Sequence, residues 1–134
     1  MRFDYDDIFY FMENFESTKA VLLVRNYYRL VDEGAVERLL CLFSNECEYD
    51  RAGNVLQGKQ ALEQFYNNDR PLEGEHHILG ITAGSTRIRV QGTFIGTSRN
   101  KPVVVDFGDK FYFDERLLIV ERDTITKNDP SVIN

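Results

Sequence analysis

The chain has 134 residues, which fits one domain with one core, and 43% of them are hydrophobic, which excludes a disordered or fibrous protein. Sixteen Lys and Arg stand against 22 Asp and Glu, a formal net charge of −6. So acidic a chain repels phosphate backbones, and a nucleic-acid partner is not expected. No apolar run approaches a membrane span, so no membrane partner is expected either. The opening Met-Arg-Phe-Asp-Tyr-Asp-Asp is too acidic for a signal peptide, and a cytoplasmic location is expected. Cys41 and Cys47 match no metal or redox spacing. Both sit among apolar residues and read as reduced core side chains, with no metal and no cofactor expected.

Residues 4–15 carry Ile8, Phe11, Met12 and Phe15 at helical spacing, a short N-terminal helix within an extension over 1–16. Ser17 or Thr18 can cap the next helix. Its stripe is Ala20, Val24, Tyr27 and Val31, widened by Leu23 and Leu30, and Gly34 stops it. Val36, Leu39, Leu40 and Phe43 mark a second helix. Cys47 to Arg51 is strand-like and breaks at the turn Ala52-Gly53-Asn54. Ala61, Leu62, Phe65 and Tyr66 share one side of a third helix. Four alternating segments then follow turn by turn: 76–83, 87–97, 103–113 and 117–125. In the last of these, Glu121 and Asp123 fall in phase with Leu117, Ile119 and Ile125. They face the interior or pair with Arg87 or Arg89 across strands, and the pairing is favoured. Residues 127–134 read as a tail. The whole, 1–134, is a single domain. Helices followed by an antiparallel meander give an α+β architecture. A curved, mainly antiparallel sheet wrapped around three N-terminal helices would form a cone-shaped barrel with a cavity inside.

Val103 to Phe113 fixes the chemistry. Val103, Val105, Phe107, Phe111 and Phe113 share one face of a strand, because side chains repeat every second residue. Asp109 falls on that same face. An unpaired charge there is costly. Asp109 therefore has a partner, stays protonated, or lines a wet cavity. His76 and His77 are adjacent, so only one can face inward, where it could act as an acid or base.

Tyr27-Tyr28-Arg29-Leu30-Val31-Asp32-Glu33-Gly34, Leu39-Leu40-Cys41-Leu42-Phe43, Tyr49-Asp50, Gly58, Ala61-Leu62 and Phe65-Tyr66 resemble the nuclear transport factor 2-like superfamily. The similarity covers residues 18–126 and is nearest the SnoaL-like polyketide cyclase and ketosteroid isomerase branch. Ketosteroid isomerase uses a helical tyrosine, an aspartate base and an aspartic acid kept neutral by an apolar site. The resemblance implies Tyr27 as the oxyanion tyrosine, Asp50 as the base and Asp109 as the neutral acid. Asp50 would take a proton next to a carbonyl, while Tyr27 and Asp109 donate to the developing enolate oxygen.

The implied ligand is a small apolar carbonyl compound, steroid-like or polyketide-like. His76, His77, Tyr49, Phe107, Phe111 and Asp123 are candidate substrate contacts. The epoxide hydrolase branch offers a further comparison. Tyr49 and Asp123 resemble parts of its water-activating relay, whereas Arg51, Val90 and Gly92 depart from it. A dehydratase is a further alternative. The other class open to this fold is a non-catalytic ligand-binding or protein-assembly module. Val104, Tyr112, Leu118 and Val120 make the outer sheet face unusually apolar, which predicts a homodimer through it.

Overall fold

The computed structural model describes residues 5–84 and 86–127, with side chains from Ser17 onward. Helix α1 (Tyr5–Glu33) leads into a short α2 (Val36–Leu40), strand β1 (Phe43–Arg51), strand β2 (Asn54–Gln57) and helix α3 (Lys59–Gln64). A π-helical turn, Phe65–Asp69, extends α3. The long strands follow: β3 (Leu72–Ala83), β4 (Arg87–Ser98), β5 (Lys101–Phe113) and β6 (Ile119–Thr126).

One helix stands where two were expected. Neither Gly nor Pro interrupts the ladder near Ser17, and the Ser17 hydroxyl donates to the Gly84 carbonyl at 3.1 Å instead of capping. The side chains of Ile8, Phe11, Met12 and Phe15, and the tail beyond Lys127, lie outside the described residues. The helix ends as its sequence predicts. Gly34, at φ 72°, donates to the Val31 carbonyl, and Ala35 donates to that of Leu30. These two bonds form a Schellman motif, which the left-handed freedom of glycine permits.

The six strands form one curved, unclosed sheet in the order β2-β1-β6-β5-β4-β3. All neighbours are antiparallel except β1 and β6, which run parallel. Helix α1 lays Ala20, Val24, Tyr27, Tyr28 and Val31 against the inner face. That face is built from Ile88, Val90 and Phe94 of β4 and Val105, Phe107, Phe111 and Phe113 of β5. Gly92 lets β4 and β5 close. A Cβ there would come within 2.6 Å of the His77 carbonyl and 2.7 Å of the Phe107 ring. Cys47 is buried as expected, but Cys41 is exposed at the end of α2, so it is not a core residue.

The final strand departs from its expected phase. Phe113 pairs with Ile119, yet Tyr112 pairs with Glu121, leaving Val120 as an extra residue. One extra residue turns every following side chain to the opposite face. Arg122 and Thr124 therefore point inward, and Glu121 and Asp123 outward. Strand β5 separates β6 from β4, so neither acid pairs across strands with Arg87 or Arg89.

Candidate functional site

The bulge at Val120 creates a polar patch in the middle of an apolar face. Two rows of side chains cross β1, β6 and β5: Tyr49, Arg122 and Phe111, then Arg51, Thr124 and Asp109. All six are buried. Helix α1 adds the Tyr27 and Tyr28 hydroxyls above them.

Asp109 has partners. Its Oδ2 accepts from Arg122 Nη2 at 2.8 Å and from the Tyr28 hydroxyl, and its Oδ1 accepts from the Thr124 hydroxyl. Burial pushes the carboxyl up to about 7, against the hydrogen bonds from Thr124 and Tyr28. A guanidinium only donates, so the carboxylate oxygen facing Arg122 is an acceptor. Arg122 Nη1 donates to the Tyr27 hydroxyl and, at 3.1 Å, to that of Tyr66. Its Cζ lies 4.5 Å from the Tyr27 ring centre and 4.4 Å from that of Tyr49. Arg122 Nε is buried with no partner among the described residues.

A cavity of about 40 Å3 opens beside this network. Tyr27, Tyr49, Phe107 and Asp109 line it, as does His76. His76 points inward, whereas His77 faces out beside Glu75. Asp32, near the end of α1, holds His76 with both oxygens. Oδ1 meets Nδ1 at 2.6 Å and Oδ2 accepts from the backbone N–H at 2.9 Å. The imidazole packs among Tyr28, Phe94 and Phe107. Burial holds it below the ordinary histidine range, against the hydrogen bond it makes to Asp32. A neutral ring whose Nδ1–H donates to Asp32 keeps its lone pair on Nε2, the form a general base needs.

Other expected residues lie elsewhere. Asp50 follows the inward Tyr49, so it faces the outer side of the sheet, where its Oδ1 accepts from the Gly53 N–H at 2.8 Å. Asp123 is its neighbour on β6, on that same outer side. Neither meets Tyr27 or Asp109. Phe111 is wholly buried and packs edge-on to Tyr27 and Tyr28, behind the cavity and not on its wall.

Several residues that matter here were not expected. Arg122 was hidden by the bulge. Tyr28 sits beside Tyr27, and periodicity alone does not say which hydroxyl reaches Asp109. Asp32 and Tyr66 become neighbours of the cavity only through long-range folding. Among the described residues, no three of His, Cys, Asp and Glu converge as a metal site.

The family model of the nuclear transport factor 2 (NTF2) domain matches residues 20–122. The chain belongs to the NTF2 domain family. The match takes in Tyr27, Asp32, Arg51, His76, Asp109 and Arg122, and every residue lining the cavity except Thr124. Among curated proteins, none matches this chain. Solved structures do. The epoxide hydrolase/cyclase-like enzyme SalBIII, of pyran-ring formation in the polyether salinomycin, is 19% identical with a TM-score of 0.71, over 81% of this chain and 91% of that one. An epoxide hydrolase from M. tuberculosis, of the LEH-like kind, is 15% identical with a TM-score of 0.74, over 84% and 85%. A proposed polyketide cyclase from Xanthomonas campestris is 19% identical with a TM-score of 0.71, over 81% and 90%. At such identities the likeness is one of fold.

Proposed function

We propose that this NTF2 domain is a small-molecule enzyme that moves a proton within its inner cavity, with His76 as the base and Asp32 as the group that orients it. The observation that carries this reading is the 2.6 Å contact of His76 Nδ1 with Asp32, on a cavity wall that also bears the Tyr27 and Tyr66 hydroxyls. A proton taken by Nε2 leaves negative charge on the substrate. The two phenols, polarised by Arg122, are the donors available to that charge. The base is thus His76 in place of Asp50, while the reaction class, proton abstraction next to a carbonyl, stays as the resemblance implies.

The test is a panel of small carbonyl compounds and epoxides assayed with the wild type and with His76→Asn. Turnover of a panel member is expected to fall about 10²- to 10⁴-fold in the variant, with an unchanged circular dichroism spectrum. Equal turnover by both proteins would remove His76 from the chemistry.

A specific observation favours a second reading, a non-catalytic assembly module. Asp109 is engaged by Arg122, and the inner cavity is small, whereas the outer face carries a groove of about 890 Å3. Leu79 and Ile125 line that groove at 71% and 68% exposure. On this reading the face seats a second copy. Sedimentation at micromolar concentration tests it: a dimer dispersed by Ile125→Lys supports it, and a monomer contradicts it.

A further inference from the structure

The outer face of the sheet carries its charges in order. Asp50 on β1 is the partner of Asp123 on β6, Asp123 of Lys110 on β5, and Lys110 of Arg89 on β4. One row across four adjacent strands thus reads acid, acid, base, base. All four residues line the outer groove. The next row keeps the order, with Glu48 beside Glu121, then Tyr112, then Arg87.

Within one chain this order is poor. Like charges directly opposite each other on neighbouring strands are destabilising, and alternating signs would avoid both clashes. Among the described residues, none of the four takes part in a salt bridge. Partial burial and then Asp50 push the Asp123 carboxyl up, and Lys110 offsets them only in part.

A second copy of the chain fits the row in one orientation. Neighbouring strands lie about 4.8 Å apart, so the centres of the two signs are about 10 Å apart. Sheets packed face to face are also separated by about 10 Å, a gap that Lys and Arg side chains can bridge. A two-fold axis along the strands, between β5 and β6, reverses the row and lays acids over bases. An axis across the strands lays acid over acid and base over base. The first axis also gives the aligned packing of two-layer sheets. Ile125 sits at that axis. It is 68% exposed, and its Cγ1 lies 3.3 Å from the place a Cβ of Gly108 would take, so it leans from β6 over β5. Two copies bring their Ile125 side chains together there. We infer that the outer face is a self-complementary interface in which Asp123 and Asp50 of one copy face Lys110 and Arg89 of the other. This rests on the reading of the outer face as the seat of a second copy, and not on His76 acting as a base.

The experiment is sedimentation equilibrium of two charge variants. Arg89→Glu with Lys110→Glu makes the row wholly acidic, and Asp50→Lys with Asp123→Lys makes it wholly basic. Each alone should weaken dimerisation at least tenfold. An equimolar mixture should restore a dimer, which also shows that both variants fold. The wild-type dimer should weaken as salt is raised from about 0.1 M to 1 M, because the screening length falls from about 10 to 3 Å. That arm needs no variant and decides the matter if a variant fails to fold. Unchanged dimerisation in a folded variant, a mixture of folded variants that stays monomeric, or a wild-type dimer that salt does not weaken would each overturn the inference. The outcomes also separate the two claims. A wild-type dimer dispersed by Ile125→Lys but indifferent to the charge variants keeps the assembly reading and removes the charge pairing. A wild-type monomer removes both.

Discussion

Asp109 and Arg122 form an ion pair at 2.8 Å between adjacent strands, with both side chains almost wholly out of water. The pair exists because the bulge at Val120 turns Arg122 inward. Burying two charges is costly, and removing one of them is worse than removing both. Asp109→Asn should therefore destabilise the fold by about 3–5 kcal/mol. The double variant Asp109→Asn with Arg122→Met should recover part of that loss. Urea unfolding of the three proteins measures both effects.

Gly92→Ala should cost about 1–3 kcal/mol through overpacking. The added methyl meets the His77 carbonyl and the Phe107 ring, and the carbonyl belongs to a paired strand that cannot move away. Thermal unfolding checks this.

Asp50→Asn should leave ligand binding and any turnover unchanged, because Asp50 faces the outer side of the sheet, away from Tyr27 and Asp109. A hundredfold loss of turnover would restore it as the base.

The folding pattern was legible where the chain alternates without interruption. The β5 face from Val103 to Phe113 follows from its period of two, and so does the burial of Asp109 among phenylalanines. The Gly34 stop and the turns at 52–54 and 98–100 follow from local chemistry. Asp50 could have been excluded on the same logic, since Tyr49 and Asp50 cannot face one way on one strand. The bulge is different. Nothing in Ile119-Val120-Glu121 marks an extra residue, because all the cues are in the pairing with Tyr112 and Phe113. Arg122 and Thr124 were unreadable for that reason. The Asp32–His76 pair spans 44 residues and depends on how α1 crosses β3, which local pattern does not determine.

The proposed proton transfer requires His76 to be neutral at pH 7 with Nε2 open to accept a proton. The most direct measurement is a two-dimensional nitrogen-15 spectrum of the histidine ring, titrated from pH 4.5 to 8 and assigned with His76→Asn. The Nδ1–H tautomer is expected at pH 7, with a titration below about 6.5, the ordinary histidine value. An Nε2–H tautomer, or an imidazolium that persists at pH 7, would contradict it.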